Sequence, residues 1–183
     1  MDAHGRLVAL LRSRSLKTGD FVLTSGKRSS WYIDCRLTTM HAEGLALVGQ
    51  LGLSAIRDAG WAADAVGGMT LGADPIAYAI ALASRTQPPV MHAFTVRKAA
   101  KEHGMGRRIE GCFERGATVV VIEDSITTGG SALSAIEAVR AENGRVSGVL
   151  AVVDRGEGGR EAIERSGADV RALVTASELL GTS

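Results

Sequence analysis

The sequence predicts an α/β fold: a doubly wound, mostly parallel sheet flanked by helices, with a small N-terminal hood and a flexible hairpin loop. Three observations carry this expectation. Between residues 60 and 176, short apolar runs alternate with stretches of helical spacing, the pattern of parallel strands joined by crossover helices. One run, Thr118-Val119-Val120-Val121-Ile122, is β-branched throughout, as suits a strand buried on both faces. Residues 1–40 fall outside the alternation and are expected to form a cap on the 60–176 core, all within a single domain over 1–183.

The elements follow in order. Leu7, Leu10 and Leu11 stand at helical spacing within 2–14. Phe21-Val22-Leu23 and Trp31-Tyr32-Ile33 read as two short strands joined by the polar turn Ser25-Gly26-Lys27-Arg28. Leu45, Val48, Leu51, Leu53 and Ile56 mark a helix over 42–59, with Gly60 as its stop. A strand at Ala65-Val66, an alanine-rich helix at Pro75–Ser84 and a strand at Val90–Val96 come next. After the polar segment 97–108 and the 118–122 strand, Leu133, Ile136 and Val139 form a helix closed by Asn143-Gly144. A strand at 146–153, a short helix at 159–166 and a last strand at 170–174 complete the series.

Bulk composition narrows the function classes. In 183 residues, 45% are hydrophobic and 22% charged, which suits a folded domain with a proper core. A net charge of +1 gives no global basic excess for nucleic acid or an anionic membrane, so any anion must be met by local charge. The two cysteines, Cys35 and Cys112, have no metal-ligand spacing and read as reduced thiols. No segment has the length of a membrane span and the N-terminus has no signal-type apolar stretch, so a soluble cytoplasmic protein is expected.

The most informative stretch runs from Val119 to Ser131. An apolar strand leads into Glu123 and Asp124, then a loop of Ser125, Ile126, Thr127, Thr128, Gly129, Gly130 and Ser131, then a helix. In a parallel sheet that loop lies at the carboxyl edge, where ligands bind. Unpaired backbone N–H groups and the positive dipole end of the helix suit a phosphate, glycines permit its close approach, and hydroxyls add donors. The two acids would repel a phosphate and are instead placed to accept hydrogen bonds from sugar hydroxyls. Phosphate plus sugar hydroxyls points to a ribose 5-phosphate. The loop lacks the Gly-Lys-Ser/Thr ending of a P-loop and the GxGxxG of a dinucleotide site.

A second stretch, 97–108, holds Arg97, Lys98, Lys101, His103, Arg107 and Arg108, broken by Gly104 and Gly106. Most such charge runs are merely solvated. Beside a phosphate cradle, however, a mobile basic loop can close over a phosphorylated leaving group and neutralise the charge that develops there.

Together these stretches resemble the type I phosphoribosyltransferases, and among them the orotate phosphoribosyltransferases. The strand, acid pair and Thr/Gly/Ser loop resemble that family's signature for phosphoribosyl pyrophosphate (PRPP). Arg97-Lys98, Lys101 and His103 match the spacing of its catalytic loop. Phe21 to Asp34 resembles its hood over the base, Asp154-Arg155 its orotate-binding arginine, and Gly67 to Pro75 its pyrophosphate loop. The resemblance runs from about residue 5 to 180 and is most specific in the PRPP signature and the basic loop.

The resemblance implies that orotate and PRPP give orotidine 5'-monophosphate and pyrophosphate, in pyrimidine biosynthesis. It implies that Thr127 to Ser131 hold the 5-phosphate, that Glu123 and Asp124 meet the ribose hydroxyls, and that Ser125 and Ile126 also belong to the PRPP site. Arg97, Lys98, Lys101 and His103 would contact PRPP, and Lys101, His103, Arg97 and Asp124 would be catalytic. Thr127, Arg155, Tyr32 and Ile33 would bind orotate. Mg²⁺ is implied, held mainly by substrate and water rather than by protein ligands. A homodimer is implied too, with the basic loop shared between subunits.

Two positions depart from the better-known pattern. Thr24 stands where a lysine precedes the Ser-Gly turn, and Leu71 where another lies in the pyrophosphate loop. The first leaves open which cation meets the orotate carboxylate, with Lys27 and Arg28 near in sequence. The second shifts work to backbone amides and the basic loop. Two rivals compete: a purine phosphoribosyltransferase, which would lack the Arg97–His103 pattern and Arg155, and a non-catalytic PRPP sensor, which would ordinarily carry a nucleic-acid-binding extension.

Overall fold

The computed structural model describes residues 1–22, 28–99 and 108–182. A six-stranded sheet forms its centre. It comprises β3 (Ala65–Met69), β4 (His92–Val96), β5 (Ile109–Gly111), β6 (Thr118–Ile126), β7 (Arg145–Asp154) and β8 (Val170–Thr175). Their order across the sheet is β5-β4-β3-β6-β7-β8. All neighbours are parallel except β4 and β5, which pair antiparallel from Phe94↔Gly111 to Val96↔Ile109.

The β-branched run places its side chains alternately on two faces, as strand geometry requires. Val120 and Ile122 join one apolar core with Leu150, Val152 and Val66, packed under α1 (Ala3–Leu10), α3 (Ala42–Asp58) and α4 (Asp74–Ser84). Val119 and Val121 join a second core with Val149, Ala151 and Phe94, under α5 (Gly130–Ala141) and α6 (Gly159–Glu164). Both faces of the sheet are therefore covered, and the doubly wound expectation holds.

The chain leaves β3 toward α4 on one face and β6 toward α5 on the other, although the two strands are neighbours. Their carboxyl ends thus diverge and leave a crevice, the usual ligand position in such sheets.

The N-terminal region packs onto the first core. β1 (Leu16–Val22) and β2 (Arg28–Ile33) form an antiparallel pair, with Lys17 opposite Tyr32 and Thr18 opposite Trp31. Trp31, Ile33 and Cys35 are buried in that core, so the hood is seated by its own side chains.

Several boundaries differ from the sequence expectation. The first helix is α-helical only to Leu10; Leu11–Ser15 continue as a π turn. β1 starts at Leu16 rather than near Phe21, since its polar stretch is held by pairing with β2 rather than by burial. β6 runs on through both acids to Ile126 because β7 pairs with it to Asp154. The strand expected from Val90 begins at His92, after a cis Pro88–Pro89 bond. Two short helices were not foreseen: α2 (Arg36–Thr39) and α7 (Ala176–Leu180), the latter opened by a Thr175/Glu178 capping box.

Candidate active site

A cleft of about 720 Å³ lies at the carboxyl edge, lined by the ends of β3 and β6, the loops that follow them, the hood and the start of the loop after β7. Three arms of the chain build it.

The first arm is the β6–α5 turn. Gly129 caps α5 at φ +82°, a left-handed conformation that glycine adopts freely, and no side chain caps the helix. The N–H groups of the first turn are thus without a side-chain acceptor and suit an anion. Thr127, Thr128 and Ser131 line the cleft around that helix end. Ser125 lines it too, and its N–H donates to Asp124 Oδ1 at 2.7 Å. Ile126 turns into the second core at 1% exposure, and its carbonyl accepts the Arg155 N–H at 3.1 Å.

Glu123 and Asp124 stand side by side in the cleft, with Glu123 9% exposed. Burial pushes the Glu123 carboxyl well above its usual range, and the neighbouring Asp124 carboxylate pushes it further. The same surroundings act on Cys35, whose thiol is raised first by burial and then by Asp124, Asp34 and Glu123.

The second arm is the loop after β3. Met69, Thr70, Leu71 and Gly72 line the cleft, and the Thr70–Leu71 peptide is cis. Gly72 lies hard against the acid pair: a Cβ there would meet Asp124 Oδ2 at 2.7 Å. Asp74, nearly buried at the start of α4, anchors this loop. It accepts the Thr70 hydroxyl at 2.7 Å and, through its other oxygen, the Thr95 hydroxyl from β4.

The third arm joins hood and core. Arg155 at the end of β7 is 6% exposed and lies with its guanidinium carbon 4.0 Å from the centroid of the Trp31 ring. Its Nε donates to Glu157 Oε1 at 2.6 Å, and its Nη2 is buried without a hydrogen-bond partner. Tyr32 and Ile33 line the same cleft.

Most of the expected residues therefore converge: Lys98, Glu123, Asp124, Ser125, Thr127, Thr128, Ser131, Arg155, Tyr32 and Ile33. Gly129 and Gly130 shape the turn behind them. Arg97 pairs instead with Glu110 at 3.5 Å, and its N–H donates to Arg108 O, closing the base of the β4–β5 hairpin. Lys101, His103, Thr24 and Lys27 lie outside the described residues.

Sequence reasoning missed Lys17, Arg36 and Glu157, and it placed Asp74 in the pyrophosphate loop without its anchoring role. Lys17 lines the cleft and sits opposite Tyr32, a placement that the register of the hairpin could have revealed. Arg36 is committed to Asp34 at 2.8 Å, and that hydrogen bond holds the Asp34 carboxyl below its usual range.

No family-level sequence profile matches the chain. Orotate phosphoribosyltransferase of Aquifex aeolicus is 47% identical over 178 residues, which cover 96% of each chain. Among solved structures, orotate phosphoribosyltransferase of Mycobacterium tuberculosis H37Rv in complex with Fe(III) dicitrate superimposes with a TM-score of 0.86 at 43% identity, covering 97% of this chain and 99% of that one. The same enzyme in complex with PRPP gives a TM-score of 0.81 at 38% identity, with the same two coverages. Agreement over nearly the whole length, at this identity and with the cleft described above, means that the chain belongs to the orotate phosphoribosyltransferase family.

Proposed function

We propose that this chain transfers the 5-phosphoribosyl group of PRPP to orotate, giving orotidine 5'-monophosphate and pyrophosphate in pyrimidine biosynthesis. The observation that carries the proposal is one cleft holding an uncapped helix N-terminus, a carboxylate pair and a buried arginine with an unpartnered N–H. A phosphate, a ribose and a planar carboxylate supply what those three features lack.

The α5 turn, Thr127 to Ser131, takes the 5-phosphate. Glu123 and Asp124 accept the ribose hydroxyls. Arg155 meets the orotate carboxylate, while Tyr32, Ile33 and Thr127 border the ring. Lys98, which lines the cleft, would meet the pyrophosphate together with Lys101, His103 and Arg97, the last by giving up its pairing with Glu110. The bond from the anomeric carbon to pyrophosphate oxygen breaks and its electron pair leaves with pyrophosphate. The orotate ring nitrogen forms the new bond from the opposite face, and its proton passes to water or to the departing pyrophosphate. The protein positions both partners and stabilises the departing charge, with Lys101 the foremost contact, assisted by His103 and Arg97.

Mg²⁺ fits this donor set, because paired carboxylates, substrate oxygens and water are the hard ligands it prefers. Substrate oxygens and water would hold most of its coordination sphere, with the Asp124 carboxylate beside it in the cleft, and when bound it would screen pyrophosphate charge.

A second copy completes the picture. Leu37, Met40 and Leu71, all exposed, border one surface recess beside the cleft, and Tyr78 and Leu82 stand exposed one turn apart on α4. Exposed apolar side chains such as these suit burial against a second copy in a homodimer of single-domain subunits. No described helix is long and apolar enough to cross a membrane; the proposed setting is the cytoplasm.

The test is orotate consumption, followed by absorbance with PRPP and Mg²⁺, beside adenine and hypoxanthine. Turnover of orotate alone supports the proposal. Turnover of a purine, or of no base, overturns it.

A further inference from the structure

The Arg155 side chain is 3% exposed, and a guanidinium is not placed there by chance of rotamer. It has a ring face on one side, from Trp31, and a single carboxylate, Glu157 Oε1, on its Nε. Its Nη2 is left without a partner, although buried polar groups are nearly always paired. The guanidinium is a rigid planar fork, so fixing Nε fixes the direction of every other N–H.

The turn that returns Glu157 to its neighbour is built for that purpose. Gly156 and Gly158, which flank it, take φ +69° and +89°, a region that side-chain-bearing residues rarely enter. Asp154 clamps both ends of the turn, accepting the Gly156 N–H at 2.9 Å and Arg160 Nε at 2.8 Å. Glu157 itself lines the cleft with its side chain 28% exposed. Its carboxylate would repel an anionic base if it faced that base freely; tied to Nε, its charge is balanced.

We infer that Glu157 is a positioning residue for base recognition: through Arg155 Nε it orients the guanidinium on Trp31 and leaves Nη2 for the carboxylate of the base. This rests on the orotate assignment above. It adds a division of labour in which Arg155 touches the substrate and Glu157 acts only through Arg155.

The test compares Glu157→Ala and Glu157→Gln with the parent enzyme, measuring KM for orotate and for PRPP separately, with uracil as a competitor lacking the carboxylate. Glu157→Ala is expected to raise KM for orotate about tenfold, the change that follows loss of one charge-assisted hydrogen bond. KM for PRPP and inhibition by uracil should stay as in the parent. Glu157→Gln retains an acceptor for Nε–H and should recover most of the loss, to within about threefold of the parent. Melting curves distinguish a folding defect, which would lower the active fraction and hence the apparent kcat without a selective rise in KM for orotate. Unchanged KM for orotate in Glu157→Ala, an equal rise for PRPP, or failure of Gln to rescue overturns the inference. If the parent enzyme does not turn over orotate at all, the functional assignment has failed first, before Glu157 is tested.

Discussion

The Arg155 guanidinium carbon lies 4.0 Å from the centroid of the Trp31 ring, so the residue that follows β7 meets the hood across the cleft. A planar cation on an aromatic face contributes about 0.5–2 kcal/mol, more where water is excluded. Arg155→Lys keeps the charge but loses the fork and the stacking. It is expected to weaken orotate binding by about 2 kcal/mol, seen as a rise in KM for orotate of roughly thirtyfold with KM for PRPP little changed.

Glu123 makes stability depend on pH in a particular direction. Its folded carboxyl titrates well above its ordinary value of 4.5, so the folded state holds a proton that the unfolded chain has released. The stabilisation is whole below pH 4.5 and is lost as pH rises through the folded value. Glu123→Gln removes that penalty. Without ligand, it should melt higher than the parent at pH 8 and lose this advantage at pH 4, while its KM for PRPP rises. Thermal melts at the two pH values check it.

Gly72 and Asp124 are coupled by contact. A methyl at Gly72 would stand 2.7 Å from Asp124 Oδ2 and 2.8 Å from its Cγ, inside any real contact distance. Because a carboxylate can rotate aside, Gly72→Ala should fold and cost little stability. Its displaced Asp124 should raise KM for PRPP about tenfold, the size of effect one misplaced charged hydrogen bond gives.

Asp74 ties the loop after β3 to β4 through the Thr70 and Thr95 hydroxyls. Asp74→Ala leaves both hydroxyls unpaired in half-buried positions and is expected to cost about 1–3 kcal/mol of stability. Thr95→Val should lose less, since the Thr70 contact remains. Urea denaturation of both variants tests the order.

The fold was legible where burial dictates residue type. Val119 to Ile122 must be apolar on both faces, and the helices at 42–58 and 130–141 carry their stripes in plain view. The acid pair and the Thr/Gly/Ser turn were legible because a phosphate cradle needs those types in that order. What stayed hidden depends on partners remote in sequence. β1 is exposed along most of its length and exists through pairing with β2, so its apolar pattern is weak. Lys17 enters the cleft only because the hairpin folds it opposite Tyr32. The burial of Arg155 required Trp31, far away in the chain, and no local pattern announces such a stack.

The most direct test is a crystal structure of the enzyme soaked with orotate and PRPP at a temperature and pH that slow turnover. The orotate carboxylate is expected within hydrogen-bond distance of Arg155 Nη2, with Glu157 still on Nε, and the 5-phosphate at the N-terminus of α5 above Gly129. Orotate bound away from Arg155, or a 5-phosphate seated elsewhere than the α5 turn, would contradict it.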